Sequence, residues 1–566
     1  MKVCLSSKTH SWKRQGMLGE GTFLTGLLSL FWLMLRTGTK PSRAVYPCQR
    51  AAAANSYIFL TYSFIPVLAV VQRKTRHFLN PKLWATLTLA LLILGAAVWW
   101  YTQQAGGPKG QVIGLTLTSR LATGIEPPSN IFVVDGTTGK DEGLSQLINL
   151  MGSHGLLLYK SGVNGTNRGP NGLIVCDHVI LIKVNSQWDA RGGTNTDLLK
   201  ALIQAIVNHP DGFVGEIIVA DNGQAQYGSV GNGGSLDWSK NNAEDSSQSV
   251  QKVVNLFAGS YKVSTYLWDT ITTKRVNEYF RGDMEDGYVV NATVNSRTGI
   301  MVSYPKFKTK FGTYVSFKMG IWEPQTQTYN SERLKVINVP VLKSHSGYGV
   351  TASVKHYMGV VSDKLTAQLG ARTHQTIGTG GMGTEMVETR FPVLNILDAI
   401  WVNANPKQSP NTGPGTSYAE ASNVRVIMAS TDPIALDYWA AKYVLVQTAK
   451  LKGETNTASL DPDNPNKVSG LTEAFHVWLK KSMEEMLAAG YQVTMNEDHM
   501  NVYVVPMPQK SQASVSRSSY KENLLCSVTH LNIQENPRFA EPRYALTRLE
   551  EMLRPRNSPN RLTGTG

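Results

Sequence analysis

Cysteine is scarce in this sequence. The 566 residues include four cysteines, Cys4, Cys48, Cys176 and Cys526, and no two of them form a C-x-x-C pair. A zinc ion or an iron–sulfur cluster held by thiolates needs a clustered set of Cys ligands, or of Cys and His ligands. The spacing therefore argues against an iron–sulfur or zinc–thiolate centre, and so few cysteines also argue against a scaffold built on disulfides.

Acidic residues are scarce near the amino terminus, where residues 1–110 carry 13 Lys and Arg against one Glu. Residues 506–566 carry nine basic and five acidic residues, so residues 111–505 have a net charge of −2 although the whole chain has +14. The basic excess thus lies beside apolar segments and in a tail, where it flanks a membrane or is solvated. A basic groove is not indicated, and we expect no nucleic-acid partner.

Charged residues are absent from residues 51–72, a stretch long enough for a helix to cross the hydrocarbon of a bilayer. A second apolar run, 83–101, ends in the interfacial residues Trp-Trp-Tyr. An earlier run, 21–35, is shorter, so a span, an interfacial helix and a signal-like segment all remain open. Residues 1–101 are therefore predicted to form a membrane region whose helices contact lipid.

The side of the membrane follows from the loop charges. The basic cluster at 73–82 separates the two long spans, and such short basic loops face the cytoplasm. We therefore expect the large domain that follows to be extracytoplasmic. Residues 102–128 have the Gly- and Pro-rich composition of a linker, and residues 506–566 form a polar, basic tail.

The domain between them, residues 129–505, alternates short β-branched runs with amphipathic helical patterns. Such alternation predicts βαβ units, and hence an α/β fold with a mainly parallel sheet flanked by helices. Residues 288–322 instead show period-two runs broken by turn signals, which predicts an inserted antiparallel β segment.

Residues 339–363 contain most of the candidate site residues. An apolar run over 335–341 leads to Lys343, Ser344, His345 and Ser346, and helical spacing follows from Val350. The pattern predicts a strand, a polar loop and a helix, with the free N–H groups of the helix available to an anion.

A second strand end echoes the first. The segments LIKVNS (181–186) and VLKSHS (341–346) share two apolar residues, a Lys, a spacer, an Asn or His, and a Ser. If the two strands are parallel neighbours, Lys183 and Asn185 converge with Lys343 and His345. Lys355 would add positive charge, and Ser346 a hydroxyl.

Carboxylates also stand at predicted strand ends. They are Asp135, Asp221, Asp398 and Asp432. One of them could act as a general base or share a metal with His345, for which Asp398 is the candidate partner. Helix capping is the simpler role for Asp432, which precedes Pro433. Asp437, one turn further on, could equally be a solvated or salt-bridged helix residue or a functional one. No metal motif with regular spacing is present, and the cofactor stays unknown.

Several of these blocks together resemble the DUF362 family, a group without an established function. The blocks are LIKVN with TNTDLLKALIQAI, the Pro-Val-Leu-Lys-Ser-His stretch leading to VKHYMG, LNILDAI, and ASTDPIALD, between about 131 and 446. The resemblance implies a fold and a place to look for a site. Some members carry ferredoxin-like cysteine clusters, which this chain lacks.

Three functions fit these observations. The first is an enzyme that binds a small carboxylate or phosphate at the strand ends, with His345 transferring protons because only His titrates near neutral pH when unperturbed. Lys343 would assist His345, while Lys183, Asn185, Lys355 and Ser346 bind the ligand. The second is a non-catalytic binding module tethered to the membrane. The third is a metal-dependent hydrolase or isomerase.

Overall fold

The structure is a computed structural model of the chain. It describes Leu28, Ser29, Trp32 and residues 112–124, 127–188, 191–224, 234–238, 247–406 and 421–508. The predicted spans at 51–72 and 83–101, most of 21–35 and nearly all of the tail lie outside these residues and stay predictions. Among the described residues, no helix combines the length and apolarity that crossing a bilayer requires.

The described strands are numbered in chain order. They are β1 Ser129–Asp135, β2 Tyr159–Lys160, β3 Arg168–Gly169, β4 Val179–Lys183, β5 Glu216–Asp221, β6 Lys262–Leu267, β7 Gly287–Val290, β8 Ser303–Lys308, β9 Tyr314–Ser316, β10 Gly320–Glu323, β11 Thr328–Asn330, β12 Leu334–Asn338, β13 Val341–His345, β14 Gly349–Thr351, β15 Leu394–Asn403, β16 Ser422–Ser430 and β17 Met500–Pro506.

The described α-helices are α1 Gly143–Ser153, α2 Thr196–Val207, α3 Val250–Phe257, α4 Asp363–Gln368, α5 Gly381–Glu388, α6 Pro433–Trp439, α7 Val446–Leu451 and α8 Phe475–Ala488. A π-helical turn, Ala440–Leu445, joins α6 to α7. Short 3-10 helices occur as well, and the one that matters for the site is Lys355–Gly359.

The large sheet has the strand order β17-β1-β16-β15-β12-β4-β5-β6, with β13 and β14 attached beside β15. All neighbours along this path pair in parallel except β16, which is antiparallel to both β1 and β15. The predicted α/β fold with a mainly parallel sheet is therefore confirmed. The predicted antiparallel segment is a separate sheet of order β11-β10-β9-β8-β7, which extends to Asn330.

Each face of the large sheet is covered by a different layer, because side chains alternate along a strand. In β1, Phe132 and Val134 lie in the core beneath α1, α2 and α3. Val133 points the other way, into a core shared with the antiparallel sheet and with α5, α6 and α8. The domain is thus layered, with the large sheet in the middle.

The central stretch folds differently from the prediction. The chain continues as strand β13 through Lys343 and His345, turns at Ser346, and returns as β14, paired with β13 in antiparallel register. Only the 3-10 helix Lys355–Gly359 follows, so the predicted polar loop and long helix are wrong. Gly349 has φ +74°, a conformation that favours glycine and permits this tight reversal.

The glycine-rich stretch 378–383 is part of two helices. It ends a 3-10 helix, Thr373–Thr379, and begins α5. Strand β17, which the sequence reading missed, completes one edge of the sheet beside β1.

Part of the predicted linker packs on the sheet. Arg120 and Val502 exchange backbone hydrogen bonds of 2.9 and 2.7 Å. The Arg120 guanidinium also pairs with Glu497 at 2.7 Å and with Asp498 at 2.8 Å. Residues 112–124 therefore contact the edge of the domain at β17.

Arg390 joins the antiparallel sheet to the core. Its guanidinium donates to the backbone oxygens of Phe317 and Lys318 at 2.8 and 2.9 Å, and to those of Ser331 and Leu334 at 3.1 Å each. The planar guanidinium group has several N–H donors and can donate to all of these carbonyl oxygens, whereas a single ammonium group could not.

We expect Arg390→Met to lower the free energy of unfolding by about 2–4 kcal/mol, because four carbonyl oxygens lose their donor. Denaturant unfolding of the purified chain measures this change. Arg333→Met, at an exposed position beside β12, is the control and should change stability by less than about 0.5 kcal/mol. Equal losses in the two variants would contradict this role of Arg390.

Candidate functional site

Three buried lysines from three elements form the centre of the site, which we call the lysine cluster. Lys183 is the last residue of β4, Lys343 is the middle residue of β13, and Lys355 begins the 3-10 helix. They are only 1%, 3% and 6% exposed, respectively. The strands that carry Lys183 and Lys343 are not the parallel neighbours that the prediction required, because β4 pairs with β12 while β13 pairs with β14 and β15. The charge of Lys183 nevertheless acts on Lys343.

Lys183 forms the ion pair of the cluster. Its Nζ lies 2.7 Å from Oδ1 of Asp221, at the end of the neighbouring strand β5. The other carboxylate oxygen accepts hydrogen bonds from the Ser186 backbone N–H at 2.6 Å and from its hydroxyl at 3.0 Å. Burial lowers the pKa of Lys183, and the charge of Asp221 opposes that shift. Asp221, considered above as a general base or metal ligand, is therefore an ion-pair partner.

Gly359 packs directly against this ion pair. A Cβ atom at this position would lie 2.2 Å from Nζ of Lys183 and 2.2 Å from Oδ1 of Asp221. The Gly359 carbonyl also accepts a hydrogen bond from the Asn222 backbone N–H at 3.2 Å. The glycine is required here because only a hydrogen atom fits between the 3-10 helix and the ion pair.

Asp437 fixes the turn that carries Lys355. Its two carboxylate oxygens accept from the backbone N–H groups of Ser353 at 2.7 Å and Val354 at 2.9 Å. The alternative of a solvated or salt-bridged Asp437 is wrong, since the residue is fully buried in α6. Burial raises the pKa of Asp437 to about 7, while the two backbone hydrogen bonds act to lower it. Asp432 caps α6 as predicted.

Lys355 is the least partnered lysine of the cluster. Among the described residues, its Nζ has no hydrogen bond and no ion pair within 4.0 Å. Burial lowers the pKa of Lys355 to about 7; the charge of Asp363 acts to raise it and that of Lys183 to lower it further. Near neutral pH the group is thus divided between ammonium and free amine.

Lys343 is anchored through its head group, which donates to the Gly192 carbonyl oxygen at 2.8 Å. Burial and then the charge of Lys355 lower the pKa of Lys343 well below its ordinary value. The charges of Asp221 and Asp398 act to raise the pKa of Lys343. Asp363, whose charge acts to raise the pKa of Lys355, pairs with Arg372 at 3.0 Å.

His345 has a defined protonation state. Its Nδ1 accepts the backbone N–H groups of Gly347 at 3.0 Å and Tyr348 at 3.2 Å. Burial and then the charge of Lys355 lower the pKa of His345 well below its usual range. The imidazole is therefore neutral at pH 7 with its proton on Nε2, and acts as a hydrogen-bond donor. The expectation that His345 titrates near neutral pH is wrong, and within the lysine cluster it is Lys355 whose pKa lies near 7.

Two further histidines adjoin the cluster. The His374 ring, which the sequence reading missed, lies with its centroid 5.9 Å from that of His345. Burial and then the charge of Lys355 lower the pKa of His374 to about 3. His356 Nδ1 lies 2.7 Å from Oδ1 of Asn338, whose amide nitrogen donates elsewhere, so His356 is the donor and its role is structural.

The remaining predicted site residues differ in their roles. Asn185 is 7% exposed, and its Oδ1 has no hydrogen-bond partner among the described residues. Ser346 is half-buried in the turn between β13 and β14. Asp398 accepts hydrogen bonds from the backbone N–H groups of Asn195 at 2.8 Å and Ile400 at 3.1 Å, so it holds the start of α2.

In the part of the chain that the structure describes, no three His, Cys, Asp or Glu residues are grouped to hold a metal.

Comparison with known protein families gives a match to part of the chain. Residues 331–442, from β12 to the π-helical turn, match the family model described as "Domain of unknown function (DUF362)". This segment includes Lys343, His345 and Lys355 but neither Lys183 nor Asn185. The match thus supports the resemblance over a shorter stretch than the sequence blocks suggested, and its description names no activity.

One curated relative is "Thylakoid-associated protein sll1697" from Synechocystis sp.. It is 29% identical over 133 residues, which represent 22% of this chain and 39% of the relative. The aligned part thus spans well under two thirds of the relative's length. No solved structure matches the chain.

We expect Gly359→Ala to lower the free energy of unfolding by about 2–4 kcal/mol, because the added methyl group displaces the buried ion pair. Urea denaturation measures the change. Gly259→Ala is the matched control, since a Cβ atom there meets nothing within 4 Å. A Gly359→Ala protein as stable as the control would show that the ion pair is not packed as described.

The pKa of Lys355 gives a pH-dependent prediction. The unfolded chain has the ordinary lysine pKa of 10.5, so between about 7 and 10.5 it binds more protons than the folded chain. Lys355 therefore lowers the free energy of unfolding by the largest amount below pH 7. This destabilisation decreases as the pH rises, by at most about 1.4 kcal/mol per pH unit.

Lys355→Met removes this contribution. Relative to wild type, the variant should gain most stability at about pH 6–7 and lose that advantage steadily toward about pH 10. Denaturant unfolding at a series of pH values measures the difference. Lys364→Met, at an exposed position of α4, is the control. A difference between Lys355→Met and wild type that does not vary with pH would contradict the shifted pKa.

Proposed function

We propose that the lysine cluster binds a small anionic ligand, a carboxylate or a phosphate, at the carboxyl edge of the large sheet. The observation that carries this proposal is the burial of three lysines, of which Lys355 has neither a hydrogen bond nor an ion pair among the described residues. Buried ammonium groups repel one another strongly where water is excluded. An anion would pair with Lys355 and reduce that repulsion.

The depressed lysine pKa values support the same proposal. Burial and repulsion by Lys355 both lower the pKa of Lys343. A bound anion would offset the repulsion and so raise that pKa. Binding of the anion should therefore be accompanied by proton uptake. Since Lys355 must be protonated to pair with the ligand, affinity should fall as the pH rises through about 7.

Neutral hydrogen-bonding groups would orient the ligand. The Nε2–H of His345 is a donor to a ligand oxygen, and the unpartnered Oδ1 of Asn185 is an acceptor for a ligand hydroxyl or a protonated acid. Ser346 adds a hydroxyl in the turn beside His345. This mixture of fixed positive charge and neutral groups suits a small polar molecule with more than one functional group.

The cluster also suits proton transfer, which would make the protein an enzyme. A group with a pKa near the working pH is the most effective general acid or base, and Lys355 meets that condition better than His345 does. A binding module without catalysis would use the same residues. The two differ in whether Lys355→Met removes turnover of a bound ligand or only weakens its binding.

We further propose that the domain is tethered to a membrane through residues 51–72 and 83–101, with the domain on the extracytoplasmic side. The uncharged character of the first run supports a span, and the basic residues at 73–82 support the orientation. The Synechocystis relative is named as a thylakoid-associated protein, which is consistent with membrane association.

The anion-binding proposal is tested by calorimetric titration of the full-length chain with inorganic phosphate and with lactate. We expect wild type to bind at least one of them, with affinity falling from pH 6 to about pH 8. Lys343→Met and Lys355→Met should each weaken binding about tenfold or more, because each removes a charge-assisted contact.

Lys364→Met, which alters an exposed lysine in α4, should leave affinity unchanged. Circular dichroism confirms that each variant is folded. Binding that is absent from wild type, or that is equally strong in all three variants, would refute the proposed site.

A further inference from the structure

The three lysines of the cluster are not equivalent. Lys183 is ion-paired to Asp221 at 2.7 Å, and Lys343 donates to the Gly192 carbonyl at 2.8 Å. Lys355 is 94% buried, yet among the described residues its Nζ has neither a hydrogen bond nor an ion pair. Two amines are thus held in place by the protein, and the third remains available to react.

We propose that Lys355 is a nucleophile that forms an imine with the carbonyl carbon of a small 2-oxo acid, whose carboxylate is held by Lys183 and Lys343. This inference rests on the proposed anion site and specifies its ligand. A 2-oxo acid carries both groups that the cluster is arranged to meet: an anion for the fixed lysines and, on the adjacent carbon, an electrophile for the free amine.

An amine attacks a carbonyl only in its unprotonated form, and two features of the structure favour that form at Lys355. The side chain is removed from water, and the charge of Lys183 acts on it. Burial and a neighbouring cation are the two effects that activate lysines for imine formation. With a pKa of about 7, a substantial fraction of Lys355 is free amine at neutral pH.

The reaction balances without a further reagent. The lone pair of Nζ forms a bond to the carbonyl carbon, and the π electrons of the C=O bond move to oxygen. Both protons of the amine then leave with that oxygen as water, which yields the C=N bond. No oxidation or reduction occurs.

His345 is suited to assist as a hydrogen-bond donor. Its Nδ1 accepts two backbone N–H groups, so the neutral ring carries its proton on Nε2. A neutral imidazole that donates to the carbonyl oxygen would polarise the C=O bond and stabilise the negative charge that develops there. A charged His345 would instead add a fourth cation to the cluster.

The experiment is reductive trapping in the full-length protein. Wild type is incubated with pyruvate and borohydride, and intact mass is followed by peptide mapping. We expect one reduced pyruvyl adduct per chain, located on Lys355, and suppression of this adduct by excess lactate, which has the same charge but no carbonyl. At saturating pyruvate the rate of trapping should rise with pH as Lys355 loses its proton.

Lys355→Arg is the matched variant, because arginine keeps the positive charge but is not a nucleophile at these pH values. It should lose trapping. Lys364→Met, which alters an exposed lysine of α4, should retain both trapping and lactate binding, measured by calorimetry. Peptide mapping of wild type locates the adduct without any variant, so the result does not depend on the folding of Lys355→Arg.

Two outcomes would overturn the inference in distinguishable ways. If wild type binds lactate and pyruvate equally and no adduct forms, or if the adduct lies on Lys343 or on surface lysines, imine formation at Lys355 is refuted and the anion site stands. If wild type binds neither lactate nor pyruvate nor phosphate, the anion site fails and the imine fails with it.

Discussion

The burial of positive charge is the constraint on which the rest of this site depends. An isolated ammonium group costs several kcal/mol to remove from water, and of the three buried lysines Lys183 is ion-paired to Asp221. The fold stabilises Lys183 through Asp221 and Lys343 through a backbone carbonyl. Lys355 receives no such compensation, and its lowered pKa follows from that difference. The buried, unpartnered Lys355 is the physical reason to expect an anion there.

The scaffold around the cluster is built to keep these charges in place. The Lys183–Asp221 pair bridges β4 and β5, and the backbone of Gly359 lies directly against it. On the other side of the 3-10 helix, Asp437 binds two backbone N–H groups with one carboxylate. Because the groups that fix Lys355 come from β5 and α6, which are far apart in the chain, the site is formed only when the whole domain is folded.

Sequence reasoning found the positions of the cluster but not its chemistry. The echo between 181–186 and 341–346 pointed to Lys183 and Lys343, whose charges act on each other, but their strands β4 and β13 are not neighbours in the sheet. The helix predicted after Lys343 is absent because β-branched residues and Gly349 there favour a hairpin. His374 lies in a segment without regular periodicity, so no pattern pointed to it.

The sequence by itself determined the alternation of strands and helices, the inserted antiparallel segment and the capping of α6 by Asp432. These features depend on hydrophobic periodicity and turn residues, which involve only residues close together in the chain. Only the tertiary structure decided which ionisable groups are neutral. The pKa of a side chain depends on its burial and on charges contributed by distant segments, and neither is readable from spacing. For that reason the pKa of Lys355 lies near 7, whereas that of His345 lies well below its usual range.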